Sequence, residues 1–270
     1  MSWIGGKKAL RDEVVRRFPL SYAKYIEVFG GAGWVLFHKP PGREEEYFND
    51  FNPNLTNLYL CVQNAQKELE LKQQLMRALN SELAFRHLMQ ANKIPVTDIP
   101  NVQRAAEFYQ LIRYSFGSAC DSFGGQPVNI QGSLPLMDAV SKRLQSVVIF
   151  NRDFESLIRL RDGPDSFFYC DPPYFGTEDY YQNVSFTHVD HERLAGVLLG
   201  MKGKFLLSYN DCAEIRSLYR RPEIQIEQVE RLNNLRQQLE GGCMYAELLI
   251  ANYDMRERQR CLPEQLTFTV

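Results

Sequence analysis

An aspartate, two prolines and a tyrosine follow directly on an apolar run at Phe167-Phe168-Tyr169-Cys170-Asp171-Pro172-Pro173-Tyr174. The aromatic bias of the run suits a buried strand, and a Pro-Pro pair, which donates no N–H, ends any ladder there. The Asp171 carboxylate, rigidly placed proline carbonyls and the Tyr174 ring make an acceptor-rich pocket with a stacking face. Such a pocket suits a flat ligand that carries an exocyclic amino group, and a nucleobase is one. Taken alone, the tetrapeptide is equally a turn that ends a strand.

Upstream residues add weight. Tyr25 to Phe29 reads as a strand, Gly30-Gly31-Ala32-Gly33 as a tight loop and Trp34 to His38 as the start of a helix. Glu46 to Asp50 reads as a second short strand, and its acid falls about 20 residues past the glycines, where nucleoside-binding α/β folds hold ribose hydroxyls. The loop is not the G-x-G-x-x-G that receives a pyrophosphate, so a nucleoside without phosphates fits better than a dinucleotide. At the N-terminus, Trp3-Ile4-Gly5-Gly6-Lys7 sets two glycines and a cation at a helix entrance, where an anionic group can approach the backbone; a flexible terminus is the plainer alternative. His188 and His191 have the spacing of a metal pair but lack a third ligand, and they read as a solvated helix start. Asp211 reads as an N-cap.

These groups need elements to carry them. Residues 7–18 predict an amphipathic helix with Leu10, Val14 and Phe18 on one side. From Asn54 to Phe116 the pattern is helical throughout, and Gly117 to Pro135 is a polar loop or short hairpin. The α/β alternation resumes with a strand at Leu144 to Phe150, a helix at Glu155 to Arg161 and the strand that ends at Asp171. A polar segment, Gly176 to Thr187, is long enough to act as a lid. Then come a helix around Val189 to Met201 and a strand at Lys204 to Ser208. The strands Glu223 to Arg231 and Met244 to Tyr253 are joined by the polar stretch Leu232 to Gly242 with no helix, so they must pair antiparallel. The expected fold is α/β: a Rossmann-like, mostly parallel sheet with an antiparallel last strand. A mostly helical segment, residues 61–138, is inserted into a domain formed by 1–60 and 139–270.

Composition narrows the class. The chain has 270 residues, 44% hydrophobic and 24% charged, ordinary for a soluble globular protein. It has no apolar run long enough to span a bilayer and no secretory signal at its start, so no membrane is expected and the cytoplasm is the default. Six cysteines are scattered without a C-x-x-C pair, which suggests neither a zinc ribbon nor a disulfide framework. A net charge of −2 argues against a nucleic-acid coat protein but leaves room for a local basic face at Lys7, Lys8, Arg11, Arg16 and Arg17.

Taken together and in this order, Trp3-Ile4-Gly5-Gly6-Lys7, Phe29-Gly30-Gly31-Ala32-Gly33, Asp50 and Asp171-Pro172-Pro173-Tyr174 resemble the Dam-like, D12 class of DNA adenine-N6 methyltransferases. The resemblance extends more weakly through Ser208-Tyr209-Asn210-Asp211 and Glu247-Leu248-Leu249-Ile250. It implies S-adenosylmethionine as cofactor, the sheet as an S-adenosylmethionine-dependent methyltransferase fold, and the inserted segment as a target-recognition domain. Carried over by position, Trp3 and Lys7 would line the methionine end of the cofactor. Phe29, Gly30, Gly31 and Gly33 would pack beneath it, Asp50 would take the ribose hydroxyls, and Asp153 would lie near its adenine, although an acid before a helix is often only a cap. Asp171 would face both cofactor and target base, with Pro172 and Tyr174 completing the catalytic set.

Double-stranded DNA is the implied partner. A restriction endonuclease is the functional companion the resemblance suggests, and a monomer or weak dimer is the expected state. Arg113, Tyr114, Ser122, Gln126 and Asn129 fall where the family's recognition hairpin lies and could contact bases or phosphates. The loop tip Ser118 to Phe123 offers no arginine for a bidentate guanine contact. An acceptor set like this also suits other exocyclic amines, so methylation of cytosine N4 or of an RNA base is an alternative reading. A DNA-binding protein without activity is a third.

Overall fold

In the computed structural model of this protein, residues 7–178, 186–232 and 244–261 are described. Their strands are β1 (Lys24–Glu27), β2 (Glu45–Asn49), β3 (Val147–Phe150), β4 (Ser166–Cys170), β5 (Lys204–Asn210), β6 (Gln225–Leu232) and β7 (Met244–Ala251). They form one sheet in the order β3-β2-β1-β4-β5-β7-β6. The first five run parallel, and β7 pairs antiparallel with both β5 and β6. This is the mixed α/β sheet expected, with β7 antiparallel to both of its neighbours. Every residue of β4 is buried, as both faces of a parallel sheet must be covered. Strand order reverses between β1 and β4, so the crevice beyond their carboxyl ends is the switch point where open α/β sheets take ligands.

The helices are α1 (Arg11–Arg16), α2 (Trp34–His38), α3 (Pro53–Gln63), α4 (Ala65–Leu75), α5 (Glu82–Asn92), α6 (Val102–Tyr114), α7 (Leu134–Leu144), α8 (Phe154–Arg161), α9 (His188–Leu199), α10 (Ala213–Leu218) and α11 (Glu257–Cys261). Side-chain caps define several starts: Asn52 for α3, Asn64 for α4, Ser81 for α5, Asn101 for α6 and Asp153 for α8. Thr187 and Asp190 close a reciprocal capping box on α9. One sheet face, with Tyr25, Phe48, Phe167 and Tyr169, packs in a single apolar core with α1 and the helical segment α3 to α7. The other face, with Ile26, Phe168, Phe205 and Leu207, packs on α8, α9 and α10.

Several local expectations change. Helix α1 starts at Arg11 rather than residue 7, because Lys7 turns into the interior, although Leu10, Val14 and Phe18 are buried as the periodicity required. Helix α2 is complete in five residues, since Pro40 and Pro41 bar its continuation. Pro135 belongs to the first turn of α7, where its missing N–H costs nothing. Leu144 is therefore the buried end of that helix, and the strand begins only at Val147. Helix α7 also runs through residue 138. The short α10, which carries a single buried apolar residue, Ile215, was not anticipated.

Candidate active site

Parallel register places the ends of β2, β1 and β4 side by side, and with them Asp50, the glycine loop and Asp171. The loop is fixed by its own backbone: Gly30 N–H donates to Asn49 O at 2.7 Å and Gly31 N–H to Asp50 Oδ2 at 2.8 Å. Asn52 N–H donates to Asp50 Oδ1 at 2.8 Å, and the Tyr59 hydroxyl to Gly31 O at 3.0 Å. A Cβ on Gly30 would lie 2.2 Å from Cζ of the buried Phe48, so only glycine lets the loop rest on that ring. Gly33 takes φ 66°, a left-handed conformation glycine adopts without penalty. Burial raises the Asp50 carboxyl to about 6 against the pull of the Asn52 and Gly31 N–H groups. Phe29 stands at this end against Phe154 and Phe186, with ring centroids 5.7 and 5.9 Å away.

Lys7 is the central cation, only 5% exposed. Its Nζ lies 2.6 Å from Asp171 Oδ1 and 3.4 Å from Glu247 Oε2, donates to the Tyr174 hydroxyl, and sits 4.5 Å from that ring's centroid. Glu247 reaches the site because it pairs in register with Asn210 at the end of β5. Lys7 therefore leaves the basic face proposed for it. Arg16 and Arg17 of that face are held by Glu13, and Arg17 also by Glu227, while Lys8 and Arg11 lie over Trp34 at 5.7 and 5.9 Å.

Glu27, at the end of β1 and within reach of the Asp171 charge, is 2% exposed. Burial, over the opposing hydrogen bonds from the Tyr25 hydroxyl (2.7 Å) and Leu36 N–H, raises its carboxyl to about 8, with the nearby Asp171 charge adding to the rise. The folded protein thus keeps a proton that the unfolded chain releases near 4.5. The associated stability is complete at low pH and is lost as pH rises from there toward 8. We expect Glu27→Gln, which keeps an acceptor for Tyr25, to raise the melting temperature relative to wild type at about pH 8.5 and to leave it nearly unchanged at about pH 5. Equal effects at both values in a thermal melt would show that Glu27 is ionised throughout.

The remaining expected residues are placed as follows. Asp153 accepts from Glu155 N–H (3.1 Å) and Ser156 N–H (3.3 Å) as the cap of α8 and pairs with Arg193 at 3.2 Å. Trp3 lies outside the described residues, as does most of the suggested lid. Arg113 and Tyr114 end α6, and a hairpin follows, bridged between Ser115 and Phe123. Its turn is tight, with positive φ at Gly117, Ser118 and Cys120. Ser122, Gln126 and Asn129 are exposed there and Arg113 is half-buried, but Tyr114 is 3% exposed and packs in the core, so its ring cannot reach a base. His191 is not a solvated helix start: it is 1% exposed and bonded to Glu178 and Tyr209. Asp211 grips Arg216, and the N-cap of α10 is Cys212.

Glu27, Glu247 and Asn210 carry no site role in the sequence reading. Asn210 and Glu247 fall in the weaker stretches of the resemblance, and the signal at Glu27 is a polar residue closing an apolar strand. Among the described residues no cluster of metal-ligating side chains occurs, and no helix is long and apolar enough to cross a membrane.

A half-buried carboxylate with a lysine to fix it, an aromatic ring beside it and a second carboxylate, hydrogen-bonded to a glycine loop two strands away, can hold two flat nitrogenous groups together. Comparison with known proteins agrees. The family model for D12 class N6 adenine-specific DNA methyltransferases matches residues 3–235. The chain is 26% identical over 233 residues to the retron Ec67 DNA adenine methylase of Escherichia coli, covering 82% of this chain and 80% of that one. It is 27% identical over 183 residues to a DNA adenine methylase of Haemophilus influenzae, covering 64% and 63%. It is 25% identical over 255 residues to the DNA adenine methylase of Escherichia coli K12, covering 86% and 87%.

Proposed function

Because this chain belongs to the D12 class of N6 adenine-specific DNA methyltransferases, we propose that it moves the methyl group of S-adenosylmethionine onto the N6 amine of an adenine turned out of double-stranded DNA. The observation that carries this reading is the junction of Asp171, Tyr174 and Lys7 beside the Asp50 glycine loop at the switch point of the sheet.

The donor set fits the cofactor. Asp50 is a half-buried acceptor for ribose hydroxyls, the Gly30 to Gly33 backbone leaves room for close approach, and Phe29 adds an apolar wall. Trp3 and Lys7 serve the methionine end, and Asp153 serves the adenine end from its cap position. When bound, S-adenosylmethionine supplies a methyl group on a positively charged sulfur.

The protein's own part is to prepare the nitrogen. In adenine the N6 lone pair is delocalised into the ring, so the amine is a poor nucleophile. Asp171 and the Pro172 carbonyl accept its two N–H bonds, which favours a tetrahedral nitrogen and stabilises the positive charge that develops there. Asp171 can also take the proton that the nitrogen sheds. Tyr174 stacks on the base, and Lys7 holds both the Asp171 carboxylate and the Tyr174 hydroxyl in position. A base inside a duplex cannot reach these groups, so it is flipped out at a cost of a few kcal/mol that protein contacts recover.

Residues 61–138 form the recognition segment, carried on 1–60 and 139–270, with α7 as the helical join. Arg113, Ser122, Gln126 and Asn129 supply contacts to DNA, and Tyr114 anchors the hairpin from below. The test is mass spectrometry of nucleosides after the protein, methyl-labelled cofactor and unmethylated DNA are incubated together. Label is expected in N6-methyladenine. Label confined to N4-methylcytosine, or transferred only to RNA, would sink the proposal.

A further inference from the structure

The turn that follows Tyr174 is tied at each residue. Thr177 donates from N and Oγ1 to Tyr174 O at 3.0 and 3.1 Å. Asn210, at the end of β5, clamps Phe175 from both sides: its Oδ1 accepts from Phe175 N–H and its Nδ2 donates to Phe175 O, each at 3.1 Å. Glu178 Oε1 accepts from Gly176 N–H at 3.0 Å and from His191 Nε2 at 2.8 Å. His191 Nδ1 in turn meets the hydroxyl of Tyr209, which is fully buried.

Proton directions in this chain follow from chemistry. A carboxylate only accepts, so Nε2 carries the imidazole hydrogen, and Nδ1 is left to accept from the Tyr209 O–H. Burial holds the imidazole below its usual range despite the pull of Glu178, in keeping with this neutral form. The run from Tyr209 through His191 therefore donates one way, from a central strand toward the turn, and ends on the Glu178 carboxylate, which also accepts from the Gly176 N–H of the turn. Tyr209 also packs beside the base-facing tyrosine, with centroids 6.3 Å apart, and Phe175 lies against His191 at 5.2 Å.

A turn needed only to leave the sheet would not require a buried imidazole, which costs free energy to desolvate unless both nitrogens are paired. We propose that Glu178, His191, Tyr209 and Asn210 are positioning residues for methyl transfer: they fix the 174–178 turn so that Asp171, Pro172 and Tyr174 meet the target amine in reacting geometry. This rests on the adenine methyltransferase reading above. It adds polar anchoring of that turn by Asn210 and Tyr209 of β5 and His191 of α9, elements that touch neither base nor cofactor in that reading.

Glu178 is the residue to test, because it lies outside the buried apolar core, with its side chain 14% exposed, and its variants should fold. Single-turnover transfer from tritiated S-adenosylmethionine to saturating unmethylated plasmid DNA gives the rate per site, with sites counted by calorimetric binding of the cofactor. For Glu178→Ala a loss of about 10- to 100-fold in that rate is expected, the scale of a small misplacement of reacting groups, with cofactor affinity within about twofold of wild type. Glu178→Gln, which keeps an acceptor oxygen for His191, should recover most of the rate. Asn210→Ala should show the same split between rate and cofactor affinity by a separate route. A purely structural anchor would lower the melting temperature and the number of competent sites, but not the rate at each of them. An unchanged rate per site in both alanine variants would overturn the proposal. Absence of transfer by the wild-type protein would instead remove the methyltransferase reading on which it stands.

Discussion

Replacing Asp171 with alanine is expected to reduce methyl transfer by at least about 10²- to 10³-fold, the usual loss when a preorganised group facing developing charge is removed. DNA binding should survive, because the exposed hairpin residues that would contact DNA lie on another segment. Folding should also survive. Lys7 Nζ keeps Glu247 at 3.4 Å and the Tyr174 hydroxyl, so the variant does not strand a buried cation. Asp171→Asn separates two contributions: its amide oxygen still accepts one N–H bond, but the charge that balances a cationic nitrogen is gone. We expect its rate to fall between wild type and alanine. Single-turnover transfer, with fluorescence anisotropy for DNA binding, checks both variants. Near-normal turnover in Asp171→Ala would remove Asp171 from the role assigned to it.

The reason Asp171 was legible in the sequence is that its signal is local. An apolar strand interrupted by Pro-Pro must end, and β4 does stop at Cys170, which leaves Asp171 at the crevice beyond the sheet. The glycine loop was legible for the same reason, since a strand, a tight turn and a helix lie in one continuous stretch. What escaped was everything brought in from a distance. Lys7 could be read as a surface cation until β4 and β7 placed Asp171 and Glu247 around it. His191 could be read as solvated because its helix-start spacing is visible while Tyr209 and Glu178, 18 and 13 positions away, are not adjacent until β5 and the turn come together. Boundaries failed at prolines, where Pro135 opens α7 instead of ending a loop, because proline is compatible with a first helical turn. The antiparallel end of the sheet was legible because two strands joined by a polar stretch without a helical pattern must pair antiparallel.

The second large effect is expected at Asp50, and its size should depend on pH. A carboxylate that accepts from ribose hydroxyls makes charge-assisted hydrogen bonds of about 1.5–3 kcal/mol. Asp50→Ala should therefore weaken S-adenosylmethionine binding by roughly 10- to 100-fold. Alanine also frees the Gly31 and Asn52 N–H groups that Asp50 holds at 2.8 Å, so part of the loss could come from a loosened loop. Asp50→Asn separates these effects, since one side-chain oxygen remains to take a backbone donor. The pH dependence follows from burial, which raises the Asp50 carboxyl to about 6. The ionised acceptor is thus fully present above about 7 and is depleted as pH falls through 6. Cofactor affinity in wild type should fall over that interval, by up to about tenfold per unit below the pKa, and the Asn variant should lack this slope. Calorimetric titration of S-adenosylmethionine from about pH 5 to pH 8 measures both quantities. Unchanged affinity in Asp50→Ala would take Asp50 away from the ribose. A slope that persists in Asp50→Asn would assign the titration to another group, and since Glu27 gains its charge only near 8, that group would have to lie elsewhere in the site.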